Sequence, residues 1–223
     1  MSRRKRRKRE YEKPTGFKDI SLKARTEGQR SFINKIKSNT VTLCSGPAGS
    51  GKTHIAVAMA VRGLKNGEFS KIMLTRPAVE ASSSLGYLPG GLVEKLGPYL
   101  VPLFDELSYF IDKKFINQFM NDGTVEICPI GFFRGRTLKN TFLVADECQN
   151  ATLEELRMVL SRLGEGSKMV IVGDIKQADI MNSGLKDVMT RMEDVEDLAV
   201  QRLNYGDIVR HPLVVKMEER FER

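Results

Sequence analysis

The chain has 223 residues, 41% hydrophobic and 29% charged, ordinary values for a soluble globular protein with room for one real core. No apolar run approaches a membrane span, and no apolar stretch follows the basic N-terminus as a secretory leader requires, so no membrane partner and a cytoplasmic setting are expected. Three widely spaced cysteines (Cys44, Cys128, Cys148) and two histidines exclude a zinc ribbon and a histidine-rich metal site.

The net charge of +8 is uneven. Residues 1–13 carry eight Lys/Arg against Glu10 and Glu12, so most of the excess sits there. Residues 1–19 hold little apolar content and read as a disordered basic tail, with a folded domain over 20–223. Such a tail suits a polyanion, RNA or single-stranded DNA, with Arg3, Arg4, Arg6, Arg7 and Arg9 as contacts. A solubility or localisation tail has the same composition.

From there strands and helices alternate. A helix over 29–37 precedes a strand at 41–45. Gly46-Pro47-Ala48-Gly49-Ser50-Gly51-Lys52-Thr53 then matches G-x-x-x-x-G-K-[ST], and a helix over 53–65 begins behind it, His54 completing the nucleotide-contacting set. Strand, glycine loop and helix form a nest of N–H groups for the phosphates of ATP; Lys52 reaches β/γ oxygens, and Thr53 puts its hydroxyl on Mg²⁺. A strand at 71–75 leads into the long stretch Arg76–Gly91, whose length marks a functional loop. Helices at 92–111 and 113–121 and a strand at 124–128 follow.

Arg134-Gly135-Arg136-Thr137 lies between two strands, which makes its arginines candidates for phosphate or nucleic-acid contact. The apolar strand 141–146 ends on Asp146 and Glu147, about 90 residues after the loop. Nucleotide hydrolysis needs one carboxylate for Mg²⁺ and one base for water; Asp146 fits the first role and Glu147 the second. Alternation along a strand would let the two side chains diverge. After a helix at 152–163, the strand 168–173 releases Gly173-Asp174-Ile175-Lys176-Gln177, which makes Gln177 a sensor of the γ-phosphate or the attacking water. A helix at 184–193, a strand near 198–203 and a helix from about 212 close the chain. Val209-Arg210-His211-Pro212 precedes that last helix, and Arg210 could stabilise charge on a transferring phosphoryl group. Apolar strands alternating with helices imply an α/β fold, a mostly parallel sheet flanked by helices on both faces.

Taken together, these segments resemble the PhoH-like family, the phosphate-starvation-inducible ATPases, over about residues 20–222. The resemblance rests on Gly46–Thr53, Leu74–Glu80, Leu85–Gly90, Arg134–Leu138, Asp146–Asn150, Gly173-Asp174 with Gln177, and Val209–Leu213. That family is similar to the first motor domain of superfamily 1 helicases, where DE-x-Q and GD-x-x-Q are motifs II and III. The resemblance implies a RecA-like P-loop NTPase with the sensor strand between the phosphate-loop strand and the Asp-Glu strand. It also implies that Gln29 contacts adenine. Two departures stand out: Cys148 replaces the usual Ala of DE-A-Q, and Ala81-Ser82-Ser83-Ser84 replaces a stretch that usually carries Gly-Glu.

The expected activity is an ATPase with Mg²⁺ as cofactor, acting on RNA or single-stranded DNA. Catalysis falls to Lys52, Glu147, Gln177 and Arg210, with Arg76, Arg134 and Arg136 as further nucleic-acid candidates. One motor core leaves the arginine to come from a neighbour, so Arg210 is expected in trans within a homo-oligomeric ring, a hexamer for instance. Two other classes share features: a thymidine-kinase-like enzyme, which pairs the same loop with DE-x-Q but carries a zinc ribbon, and a nucleotide-dependent switch, which would not need Glu147.

Overall fold

The computed structural model describes residues 16–77 and 92–210, with Leu213, Met217 and Arg220 beyond them; for 92–99 only the backbone is described. Six helices and six strands are used below: α1 Glu27–Ser38, β1 Val41–Ser45, α2 Lys52–Asn66, β2 Lys71–Thr75, α3 Leu92–Phe110, α4 Lys113–Asn121, β3 Val125–Ile127, β4 Thr141–Ala145, α5 Leu153–Leu160, β5 Lys168–Gly173, α6 Leu185–Arg191 and β6 Leu198–Arg202. The strands form one sheet in the order β3-β2-β4-β5-β1-β6, with every pairing parallel. The sensor strand β5 thus lies between β1 and β4, as the resemblance implies.

The central strands β1, β2, β4 and β5 are buried on both faces because both faces are covered. Cys44, Ile72, Leu74, Phe142, Val144, Val170 and Val172 point to one side, where they meet buried residues of α1, α2, α3 and α4. Leu43, Met73, Leu143, Ala145, Met169 and Ile171 point to the other, against Leu156 and Val159 of α5 and Leu185, Val188 and Met189 of α6. Helix starts are fixed locally. The Thr26 hydroxyl accepts from the Gln29 N–H to begin α1, and Thr152 and Glu155 form a reciprocal capping box at α5.

Other described ends agree with the expected ones or shift by a residue or two, and three boundaries differ for a visible physical reason. The body begins before residue 20: Phe17 bridges Ile111, the Lys18 N–H donates to the Phe110 carbonyl, and the Phe17 ring lies 5.6 Å from that of Phe119. One aromatic anchor in a polar segment is enough to pin it. The helix expected to run to 163 stops at Leu160, because residues 161–163 peel away: the Leu138 N–H donates to the Arg162 carbonyl and Leu163 bridges Leu138. The Asp-Glu strand ends at Ala145, one residue early. Arg3, Arg4, Arg6, Arg7 and Arg9, the loop from residue 78 to 91, and His211 and Pro212 with most of the expected last helix lie outside the described residues.

Candidate nucleotide site

Parallel strands point all their C-terminal ends the same way, so β1, β4 and β5 deliver their exit loops to one rim of the sheet. At β1 the chain turns through Gly49 and Gly51, each at φ +81°, a conformation that costs an L side chain energy but not glycine. Helix α2 then starts, and its first N–H to find an intrahelical partner is that of Ile55, on the Gly51 carbonyl. The N–H groups of Lys52, Thr53 and His54 are therefore the exposed positive end of the helix. Ser50 braces the loop through its hydroxyl to the Pro47 carbonyl at 2.7 Å. The Lys52 ammonium spans the mouth, donating to the carbonyls of Gly46 (2.5 Å) and Pro47 (3.0 Å). Burial lowers its pKa, while Cys44, Asp174, Glu147 and Asp146 act the other way.

Gln29 is buried against the loop from behind. Its amide donates to the Ser50 carbonyl (3.0 Å) and accepts from the Arg25 N–H (2.9 Å), so α1 holds the loop in register.

The two carboxylates sit opposite. The Thr53 hydroxyl donates to Asp146 Oδ1 at 2.7 Å, joining α2 to the end of β4. Asp146 is almost fully buried, and burial raises its pKa; Arg76 opposes this, Glu147 adds to it, and the Thr53 hydroxyl opposes it. Glu147 lies past the strand at φ 53°, ψ 36°. A left-handed non-glycine residue costs about 1–2 kcal/mol, so this turn, rather than strand alternation, sets where the second carboxylate goes. Its Oε2 accepts from the Gln149 amide at 2.5 Å, and Gln149 Oε1 accepts in turn from the Asp174 N–H at 3.0 Å. Gln149 therefore ties the base to the exit of the sensor strand. It was readable only as the Q of DE-x-Q, without a role.

Gln177 is exposed on the turn after β5 and lines a cleft of about 600 Å³ with Arg76, Glu147, Gln149 and Asn150. The candidate base and sensor thus share one opening.

Four arginine and histidine assignments change. Arg76, grouped with the nucleic-acid contacts, turns inward: its Nε donates to Asp146 Oδ2 (3.1 Å) and its Nη2 contacts both Asp146 Oδ2 and Glu147 Oε1 (3.0 Å each). The buried Asp146 carboxylate demands a cation, and the planar fork meets it and the half-exposed Glu147 at once. Arg136 is also committed, bidentate to Glu126 at 2.5 and 2.8 Å, so it stabilises β3 rather than offering a free charge. Arg134 is exposed. The His54 side chain points away from the loop, with Nδ1 2.6 Å from Glu106 and its ring on Phe110, which leaves only its backbone N–H at the phosphate nest. Arg210 lies on its own chain's loop. The Val209 N–H donates to the Gly49 carbonyl at 2.9 Å, and a methyl on Gly49 would come within 2.6 Å of Arg210 Cδ. The short turn Tyr205–Asp207 explains this, since the Thr26 hydroxyl donates to Asp207 (2.5 Å) and draws the segment over the loop.

The model of the PhoH-like protein family matches residues 21–222. A PhoH-like protein of Synechocystis sp. is 48% identical over 205 residues, covering 91% of this chain and 62% of that protein. One from Bacillus subtilis is 44% identical over 209 residues, covering 92% and 66%. The chain therefore spans about two thirds or less of the length of these relatives. Among solved structures, the large terminase of a thermophilic bacteriophage aligns with a TM-score of 0.54 at 11% identity, over 87% of this chain and 49% of that one. That likeness concerns the fold, a RecA-like P-loop α/β sheet. With the phosphate loop, the Asp-Glu strand end and the sensor strand in their expected places, and with that sequence match, the chain belongs to the PhoH-like protein family.

Proposed function

We propose that this chain is an ATPase that uses Mg²⁺ and couples hydrolysis to binding or remodelling of RNA or single-stranded DNA. The observation that carries the ATPase reading is the 2.7 Å hydrogen bond between Thr53 and Asp146, which unites the phosphate loop with a buried carboxylate from another strand. A hydroxyl beside a nearly inaccessible carboxylate is a donor set that suits a hard divalent cation. Thr53 and Asp146 would hold Mg²⁺, which supplies neutralisation of phosphate charge when bound.

The chain's own groups divide the rest. The loop N–H groups and Lys52 bind the phosphates, and Gln29, bonded to the Ser50 carbonyl and the Arg25 N–H, braces that loop from behind. Glu147, held by Gln149 and Arg76, takes the proton of the attacking water, while Gln177 and Arg210 stabilise the charge that develops. Support for a nucleic-acid partner is electrostatic: residues 1–13 carry eight Lys/Arg against two Glu. The test is phosphate release from ATP by the full chain, alone and with single-stranded RNA or DNA. Turnover that rises with a strand supports the reading. Turnover absent under all conditions overturns the ATPase, and stimulation by a mononucleoside alone would turn the assignment toward a kinase.

A further inference from the structure

We infer that the exposed turn at residues 131–134 is a base-stacking contact for a single strand of nucleic acid, with Phe132 as the platform and Arg134 on an adjacent phosphate. This rests on the nucleic-acid reading above and gives it a site.

The turn is a 3₁₀ segment, Ile130–Phe133, at the C-terminal end of β3. Its first and last residues are buried, Ile130 at 2% exposure and Phe133 at 0%, whereas Phe132 between them is 47% exposed. Single exposed apolar residues are common and carry no meaning by themselves. Three further observations give this one a meaning. First, the backbone beside it is uncrowded: among the described residues, and apart from the glycines' own chain neighbours, no atom lies within 4 Å of where a Cβ would stand on Gly131 or Gly135. Second, Arg134 is exposed two residues on, so an aromatic face and a phosphate-binding cation share one short turn. Third, the turn is anchored: Ile130 and Phe133 are buried, and Arg136, bidentate to Glu126, sets its guanidinium 5.9 Å from the Phe133 ring.

The position supplies a link to hydrolysis. The Ile130 N–H donates to the Arg76 carbonyl at 3.2 Å, and the Arg76 side chain holds Glu147. A strand seated on Phe132 therefore bears on the residue that positions the candidate base.

The test uses the full chain with fluorescent (U)₂₀ and (dT)₂₀, binding measured at several salt concentrations, beside basal and strand-stimulated phosphate release. Phe132→Ala should weaken both probes by about tenfold, the range expected for losing one stacked base. Phe132→Tyr should stay within about twofold. Arg134→Ala should lower the log–log salt slope by about 0.7. Basal hydrolysis and the thermal midpoint should stay near those of the parent in all three. Equal effects on both probes mean stacking that ignores the sugar; an effect on (U)₂₀ alone assigns the turn to RNA. Wild-type-like binding by Phe132→Ala overturns the site while leaving the nucleic-acid reading standing. A parent chain that binds neither probe overturns both. If Phe132→Ala instead changes self-association and leaves strand binding intact, the turn is a protein contact and the inference is wrong.

Discussion

At the scale of single residues, Lys52 and Glu147 do different work and should separate in assay. Lys52 touches phosphate in ground and transition states alike, so Lys52→Ala should weaken nucleotide binding and abolish turnover. Glu147 acts on water alone, so Glu147→Gln should bind a fluorescent ATP analogue normally while phosphate release stops; near-normal release would remove the base assignment. Arg76 is one of the residues whose role the sequence pattern misplaces. Pattern marks it as a charge in a functional loop, but only the folded register shows that β2 ends beside β4 and aims it at Asp146 and Glu147. Its removal leaves a buried carboxylate without a counter-charge. Arg76→Ala should cost about 3 kcal/mol of stability and lower kcat by about 100-fold through misplacement of Glu147, with KM for ATP little changed. Arg76→Lys should recover stability better than kcat, since it restores the charge but not the fork. A mutant that loses strand binding and keeps kcat would return Arg76 to the nucleic-acid group.

At the scale of elements, most of the sheet was legible, because a strand buried on both faces leaves an unbroken apolar run. The runs Met169–Val172 and Phe142–Ala145 are of this kind. What periodicity missed were ends set by tertiary partners, such as Leu160, and a turn set by one strained residue, Glu147. The short edge strand β3 buries Val125 and packs Ile127 against the core, and charge adds to its hold. Glu126 receives both Lys71 (2.5 Å) and Arg136, and the Arg136 hydrogen bond foremost, with help from Lys71, holds its carboxyl at about 2. A depressed carboxylate pKa means stability that is fully present above the unfolded value of about 4.5 and lost as pH falls toward 2. The three side chains are partly solvent-exposed, so screening reduces the effect to about 1 kcal/mol. Glu126→Gln should therefore lower the unfolding free energy in urea by that much at pH 7, and the gap from the parent should shrink steadily below pH 4.5. A gap that stays constant down to pH 2.5 would mean that packing, not the ion pairs, holds β3.

For the molecule as a whole, two expectations concern what lies beyond one folded domain. Deleting residues 1–13 should leave basal ATPase unchanged and flatten the salt dependence of strand binding. If about five of its charges engage phosphates, the log–log slope falls by roughly 3; an unchanged slope would assign the tail elsewhere. The second concerns assembly. A ring was expected because a lone motor core lacked an arginine, yet Arg210 rests on Gly49 of the same chain, so that reason falls away. Arg210→Ala should lower turnover by about 10³-fold with ATP affinity nearly intact, since its charge acts on the transition state. Mixing Arg210→Ala with Lys52→Ala protein then discriminates. In a cis site every chain holds one defect, and the mixture should show no more activity than its two components alone. A site shared between subunits would pair some intact loops with intact arginines, and activity would return. Recovery after demonstrated subunit exchange would sink the cis arrangement and restore the case for a head-to-tail ring.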